Sequence, residues 1–245
     1  MGTTWPARAR RIAVMSDIHA NLPALEAALA DIRKEGVDGI VHTGDVIGFG
    51  PQPTECLDLV LATRGMEPLM GNHELWCLRG DAGPGKPAEA VSHLDWTWKQ
   101  VSSAHRKAMA EWPFHIERDI DGVPAAFQHY ALDPSGRDFL PIERPPSAST
   151  YDRLFGTASA AILFFGHDHA ASATPGRTFY ADPGSLGTGR EPAARWLLVR
   201  FGSGKFDIER RAAPYNREPL WKAFEERKVP GRAHVIEKFY RTQEP

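Results

Sequence analysis

Short apolar runs recur along the chain, and each ends in polar residues or glycine. They occupy positions 12–15, 39–42, 68–70, 123–127 and 161–165. Between the first two runs, Leu22, Leu25, Leu29 and Ile32 have the spacing of one buried helix face, Asn21 can cap that helix and Gly36 can end it. This strand, helix, strand order predicts parallel neighbouring strands.

In the middle of the chain, the apolar residues mostly have the spacing of helices. Leu57, Val60 and Leu61 predict a second helix before the run at 68–70. Positions 88–111 predict one long amphipathic helix, with His93 and His105 solvated.

In the second half of the chain, the spacing of apolar residues changes from the helical period of about 3.6 residues to the strand period of 2. Positions 115–120 and 123–127 flank Asp121-Gly122, which predicts a β-hairpin. Further short strands are expected near 175–181, 196–201 and 205–210, and a helix near 218–227. Parallel and antiparallel elements together favour an α/β fold with mixed sheets.

Composition narrows the class of protein. A chain of 245 residues with 42% hydrophobic and 24% charged residues can form one globular domain, 1–245, with 1–10 as a flexible leader and 213–245 as a C-terminal helical cap. A net charge of −2 predicts neither an obligatory nucleic-acid partner nor attraction to a membrane. Two cysteines do not make a disulfide framework. With neither a signal peptide nor a membrane span recognisable, we expect a cytoplasmic protein.

The polar residues that follow the apolar runs carry the candidate chemistry. They are Asp17, His19, Asp45, Asn72, His129, His167 and His169, with His73 beside them. Imidazole and carboxylate ligands without thiolates suit Mn, Fe, Co, Ni or Zn. Seven ligands are too many for one such ion and suit two that share a carboxylate, for which Asp45 is the natural bridge. Two ions so placed activate water and stabilise the in-line displacement at a phosphate ester.

Each of these residues alone has a simpler explanation. An aspartate after a strand is usually a cap or turn residue, and an isolated histidine is usually structural. Their joint occurrence at strand ends favours the metal interpretation. None of Asp168, His42 and Glu74 is expected to be a ligand: Asp168 would face solvent or a supporting partner, His42 would be a buried or supporting histidine, and Glu74 would begin a helix or support the site. His73 can hydrogen-bond the phosphate or protonate the leaving group.

The ordered blocks Asp17-x-His19, Gly44-Asp45, Gly71-Asn72-His73-Glu74, His129 and Gly166-His167-x-His169 resemble the signatures of the calcineurin-like metallophosphoesterases. The runs at 16–25, 48–51 and 182–186 are similar to the bacterial and archaeal phosphodiesterase branch, and the likeness covers about residues 10 to 212.

The resemblance implies a four-layer α/β/β/α sandwich of two facing mixed sheets flanked by helices. It implies that Asp17, His19, Asp45 and His169 hold one metal. The second metal would be held by Asp45, Asn72, His129 and His167, with His73 as the catalytic acid. Mn²⁺ is the expected ion, with Fe, Zn, Co or Ni as alternatives.

Two positions depart from the family pattern. Tyr130 stands where relatives usually carry glycine, which affects the expected pocket shape, and Asp182 replaces a usual asparagine, which changes a turn hydrogen bond. The expected activity is hydrolysis of phosphodiester bonds, and the expected substrate is a small phosphoester. A phosphomonoesterase acting on nucleotides or proteins, or a non-catalytic metal-binding scaffold, are the alternatives. Substrate choice is expected to depend on the loops at 81–87 and 132–146.

Overall fold

The computed structural model describes residues 10–82, 85–156 and 159–240. The predicted leader therefore lies outside the described residues except for Arg10. Within the described residues, the ten strands are β1 Arg11–Met15, β2 Gly39–His42, β3 Met66–Pro68, β4 His115–Ile120, β5 Val123–Gln128, β6 Ile162–Phe164, β7 Ser172–Pro175, β8 Phe179–Asp182, β9 Ala193–Gly202 and β10 Lys205–Pro214. The eight helices of the same described ranges are α1 Leu22–Glu35, α2 Pro53–Ala62, α3 Asn72–Arg79, α4 Ala88–Gln100, α5 Ser103–Ala110, α6 Ala148–Leu154, α7 Glu218–Glu226 and α8 Arg232–Tyr240.

The first sheet has the strand order β10-β9-β1-β2-β3. Strands β1, β2 and β3 are parallel, as the strand, helix, strand pattern predicts, and β9 is antiparallel to β1. Helix α1 begins where the Asn21 side chain accepts a hydrogen bond from the Ala24 N–H, and it ends at Gly36 in the left-handed conformation. The carboxyl ends of three parallel strands therefore meet at one edge.

The second sheet has the order β4-β5-β6-β8-β7. The predicted hairpin is confirmed, because β4 and β5 pair antiparallel with Ile120 opposite Val123. Strands β5, β6 and β8 are parallel to one another. This sheet thus also brings several strand ends to one edge.

Alternation along β1 explains the layers. Ile12 and Val14 pack in a cluster with Phe127 and Phe164, which come from the other sheet. Ala13 and Met15 point to the opposite face and share a cluster with α1. A third cluster, in which Tyr151 of α6 takes part, covers the outer face of the second sheet. The expected four-layer α/β/β/α sandwich is confirmed.

The prediction of a single helix over 88–111 was wrong. Val101 has an extended backbone and ends α4, and the Ser102 side chain accepts a hydrogen bond from the His105 N–H to begin α5. The expectation that His93 and His105 are solvated was also wrong, because both are buried. His93 Nδ1 lies 3.0 Å from the Pro230 carbonyl oxygen, and His105 Nε2 lies 2.8 Å from Asp58 Oδ1.

The C-terminal segment reaches the loop that follows β8. Strand β10 continues to Pro214, and α7 and α8 follow. Within α8, the Phe239 carbonyl accepts a hydrogen bond from the Gly189 N–H, and the Tyr240 hydroxyl donates to the Gly187 carbonyl. Among the described residues, no helix has both the length and the apolar character needed to cross a membrane.

Candidate metal centre

The two candidate carboxylates of the first sheet lie just beyond parallel strands. Asp17 follows β1 and Asp45 follows β2, and both side chains are essentially buried. The Asp17 N–H donates to the Gly44 carbonyl at 3.0 Å, so the two loops are hydrogen-bonded side by side. This contact brings both carboxylates to the same edge of the sheet.

Most of the candidate ligands have strained backbones. Positive φ angles, which favour glycine, occur at Asp17 (56°), His19 (48°), Asp45 (65°), His167 (74°) and His169 (63°). Each such non-glycine residue costs on the order of 1 kcal/mol and persists only where surrounding contacts impose it. The loops are therefore built to aim these side chains at one another.

The first donor group consists of Asp17, His19 and His169. Nε2 of His19 and Nε2 of His169 lie 2.9 Å apart, and they lie 3.6 Å and 3.4 Å from Asp17 Oδ1. That buried Oδ1 atom has no hydrogen-bond partner in the described structure. Because an unpartnered buried carboxylate oxygen is costly, three converging donors of this kind fit a cation.

The outer ring nitrogens of three histidines are hydrogen-bonded in a way that directs Nε2 inward. Nδ1 of His19 lies 3.2 Å from the Ile47 carbonyl oxygen, and Nδ1 of His129 lies 3.0 Å from that of Thr43. Nδ1 of His169 lies 3.2 Å from Oγ1 of Thr188. A proton on Nδ1 leaves the Nε2 lone pair free, which is the tautomer that a metal ligand requires.

The second donor group consists of Asp45, Asn72, His129 and His167. The terminal oxygen of the Asn72 carboxamide lies 2.9 Å from His129 Nε2, and that same position lies 2.7 Å from His167 Nδ1 and 3.3 Å from Asp45 Oδ2. An oxygen surrounded by acceptors is unfavourable unless a cation lies among them. Rotating the carboxamide would instead let its two N–H bonds donate to two of these three atoms, so two orientations are compatible with this cluster.

Asp45, a member of the second group, also approaches His19 of the first. Its Oδ2 lies 3.3 Å from His129 Nε2 and 3.9 Å from His19 Nε2, while its Oδ1 accepts a hydrogen bond from the His73 N–H at 2.9 Å. In each of three sets, one donor atom per residue lies within 4.8 Å of the others: Asp17, His19 and His169; His19, Asp45 and His73; Asp45, His129 and His167.

Protonation in this cluster is governed by burial and by mutual charge. Burial alone would raise the pKa of Asp45, but the neighbouring His129, His73 and His19 hold it well below its usual value. Burial lowers the pKa of His167 to about 4. Burial also acts to lower the pKa of His129, yet the charge and hydrogen bond of Asp45 raise it to about 9. Asp45 is therefore ionised near neutral pH, as a bridging ligand must be.

His73 lies at the start of α3, beside this cluster. Its ring centroid is 5.1 Å from that of His19, 4.8 Å from Phe49 and 5.0 Å from Trp76. Its Nδ1 atom is buried without a partner among the described residues, and burial lowers the ring's pKa to about 3. The imidazole is thus neutral and held in place by packing.

Glu74 is a buried residue that supports the loop of Asp45. Its Oε2 accepts hydrogen bonds from the N–H groups of Asp45 (2.8 Å) and Gly71 (3.1 Å), and its Oε1 accepts one from Ile47 (3.0 Å). Burial, with the charge of Asp45, raises the pKa of Glu74 to about 7. Both carboxylate oxygens of Glu74 are therefore engaged by backbone N–H groups around Asp45.

The two departures from the family pattern have simple outcomes. Tyr130 keeps its φ angle outside the positive region, and its buried ring packs 5.0 Å from the ring of His167. A side chain at this position therefore requires no glycine-like backbone. Asp182 Oδ1 accepts a hydrogen bond from the Gly184 N–H at 2.7 Å, as expected for a turn. Burial, reinforced by Asp17, raises the pKa of Asp182 well above its usual value.

A cavity of about 490 Å³ opens outward from the donor groups. Asp45, Asn72, His73, His167 and His169 line its floor. The cavity is also lined by Trp76, Lys86, Arg144, Lys238 and Phe239. Lys86 and Arg144 lie in the loops at 81–87 and 132–146 that were expected to set substrate choice, whereas Lys238 and Phe239 belong to α8. Arg144 forms an ion pair with Asp168, the residue between His167 and His169.

Comparisons with known proteins agree with this architecture. Residues 11–201 match the model of the calcineurin-like phosphoesterase superfamily domain. The chain belongs to that superfamily, whose members are metal-dependent hydrolases of phosphoesters.

Individual relatives are distant in sequence. A metallophosphoesterase from Sphaerobacter thermophilus is 24% identical, with a TM-score of 0.72 over 93% of this chain and 97% of that one. A hypothetical protein from Pyrococcus horikoshii is 19% identical, with a TM-score of 0.79 over 96% and 99% of the two chains. An uncharacterised protein of Methanocaldococcus jannaschii is 25% identical over 228 residues, which are 89% of this chain and 93% of the relative.

Proposed function

We propose that this protein is a phosphodiesterase with a dinuclear metal centre. The observation that carries the proposal is the position of Asp45, whose Oδ2 atom lies 3.3 Å from His129 Nε2 and 3.9 Å from His19 Nε2. A carboxylate between two groups of nitrogen and oxygen donors is suited to bridge two cations, because its charge offsets part of their repulsion.

The proposed ligands divide around Asp45. Asp17, His19 and His169 would hold one ion with Asp45, and Asn72, His129 and His167 would hold the other. These donors include no thiolate, which favours Mn²⁺ and also suits Fe, Zn, Co or Ni. When bound, two such ions supply Lewis acidity toward the phosphoryl oxygens and lower the pKa of water so that it can act as the nucleophile.

The chain's own residues would position the substrate and transfer a proton to the leaving group. His73 lies against the cluster and also lines the cavity, so its ring can reach the departing oxygen of a bound ester. Burial keeps the pKa of this ring low, but an anionic phosphate beside it favours the imidazolium form. Substrate binding would therefore favour the protonated ring that acts as general acid toward the leaving group.

A diester is favoured over a monoester by the likeness to the phosphodiesterase branch and by the shape of the cavity. Trp76, Leu94, Val235 and Phe239 give the outer part of the cavity an apolar wall, where an organic substituent of the phosphate can pack. The proposed substrates are therefore small phosphodiesters.

Hydrolysis of two chromogenic esters tests the proposal. Protein stripped of metal and reloaded with Mn²⁺ should hydrolyse bis(p-nitrophenyl) phosphate with a higher kcat/KM than p-nitrophenyl phosphate, and the stripped protein should be inactive. A preference for the monoester would make the protein a phosphatase. Inactivity on both esters, with metal bound, would favour the scaffold interpretation.

A further inference from the structure

Two lysines lie on the outer wall of the cavity. Lys86 precedes α4, and its Nζ lies 3.9 Å from the centroid of the Trp76 ring. Lys238 belongs to α8, and its Nζ lies 5.2 Å from the centroid of the Phe239 ring. Both side chains line the same cavity as the candidate metal ligands. The aromatic rings hold both ammonium groups at the wall by cation–π contacts.

Among the residues that the structure describes, neither ammonium group has an acidic partner. Within residues 10–82, 85–156 and 159–240, no ion pair is formed by Lys86 or Lys238, although Glu89 lines the same wall. Burial lowers the pKa of Lys86, and the nearby charge of Lys238 lowers it further, with no carboxylate opposing either effect. Two cations that repel each other beside a cavity would be stabilised by an anion bound between them.

The lysines are connected by packing to His73. The Trp76 ring, which lies under Lys86, is 5.0 Å from the His73 ring. The Phe239 ring stacks on Phe49 at 4.2 Å, and Phe49 in turn is 4.8 Å from His73. Each ammonium group is therefore linked to the His73 ring through one or two packed aromatic rings.

We infer that Lys86 and Lys238 bind a second phosphate, carried by the leaving group of the substrate. This inference rests on the proposed function, in which His73 protonates the leaving group. The substrate class is then a phosphodiester whose departing alcohol is itself phosphorylated. Hydrolysis forms a bond from the water oxygen to phosphorus, breaks the bond to the departing oxygen and places a proton on that oxygen, so the second phosphate leaves unchanged.

Binding of two phosphonates tests the inference without turnover, because their C–P bonds resist hydrolysis. The probes are 1,3-propylenediphosphonate and propylphosphonate, which differ by one phosphonate group. They are titrated calorimetrically into the full-length, Mn²⁺-loaded chain after free ion has been removed. The second phosphonate group would form two solvent-accessible ion pairs worth up to about 1 kcal/mol each. We therefore expect the diphosphonate to bind about tenfold more tightly than propylphosphonate.

The variant that tests the lysines carries both Lys86→Ala and Lys238→Ala, and it should bind the two probes with equal affinity. The matched control is Lys222→Ala, which removes an exposed lysine of α7 that pairs with Glu226, and it should keep the tenfold preference. Equal binding of the probes by the wild-type chain, or a preference that survives in the double variant, would overturn the inference.

The two proposals can fail separately. Hydrolysis of bis(p-nitrophenyl) phosphate is measured on the same wild-type preparation. Activity without a preference for the diphosphonate contradicts only the second phosphate site. A preference in a metal-loaded but inactive preparation supports the lysine site as an anion site and contradicts the catalytic proposal.

Discussion

Glu74 Oε2 accepts a hydrogen bond from the backbone N–H of Asp45 at 2.8 Å. The same carboxylate accepts from Gly71 and Ile47, so it joins the start of α3 to the loop that carries the proposed bridging ligand. Because Asp45 has a left-handed backbone, this buried carboxylate helps to hold a conformation that the loop would not adopt alone.

Replacing Glu74 tests this support. In Glu74→Gln one accepting oxygen becomes an NH₂ group that faces backbone N–H groups. We expect the metal-free protein to lose about 1–3 kcal/mol of unfolding free energy and to bind Mn²⁺ more weakly. Urea denaturation and calorimetric titration measure the two effects. The exposed Glu226→Gln is the control, and wild-type behaviour of Glu74→Gln in both assays would contradict the supporting role.

His73→Ala tests the catalytic assignment. The variant should keep its metal content and lose about 10²–10⁴ in kcat, because a general acid contributes about that much. The loss should be smallest for p-nitrophenyl esters, whose leaving group needs little protonation, and larger for alkyl esters. His105→Ala, which removes a histidine paired with Asp58, should leave kcat unchanged. Loss of metal from His73→Ala would instead make His73 a ligand.

Gly48→Ala tests whether the His73 ring must keep its present position. A Cβ atom at Gly48, where φ is 94°, would lie 2.2 Å from His73 Nδ1. We therefore expect a displaced ring, retained metal and a kcat lowered at least about tenfold, since small misplacements of catalytic groups are costly. Gly80→Ala also requires a positive φ but meets nothing within 4 Å. It should lose some stability and keep its kcat.

Metal affinity should depend on pH through His129. Its pKa of about 9 in the metal-free protein means that a proton must leave before Nε2 can bind a metal. Affinity should therefore rise by up to roughly tenfold per pH unit as pH approaches 9. Because the folded chain holds this proton more tightly than the unfolded chain does, protonated His129 stabilises the metal-free fold. This stabilisation is fully present below the ordinary histidine pKa of about 6.5, and it is lost as the pH rises through about 9. Calorimetry in buffers of different ionisation enthalpy measures the released proton, and a pH-independent affinity with no proton release would contradict this.

The convergence of strand ends could be predicted from the sequence because it follows from topology. Asp17 and His167 are far apart in the chain, yet the His167 N–H donates to Asp17 Oδ2 at 3.1 Å. Each residue follows a buried strand whose parallel neighbours end at the same edge, so an apolar run followed by Asp or His was sufficient to place it at the edge of its own sheet. That the edges of the two sheets meet was implied by the family resemblance.

Only part of the cavity wall could be predicted. Lys86 and Arg144 lie in the loops at 81–87 and 132–146 that were expected to set substrate choice, whereas Lys238 belongs to α8, whose packing no periodic pattern indicated. The burial of His93 was missed for a similar reason, because its partner is the Pro230 carbonyl more than one hundred residues later. Such pairings depend on tertiary packing that a local pattern does not contain.

The most direct test of the proposed dinuclear centre is the number of Mn²⁺ ions bound per chain. The protein is loaded with Mn²⁺ and desalted, and its metal content is measured by elemental mass spectrometry. We predict two ions in the wild-type protein and in the exposed control Asp207→Asn. Asp45→Asn should lose both ions together, because both donor groups share that carboxylate. A single ion in the wild-type protein, or two ions retained by Asp45→Asn, would contradict the bridged centre.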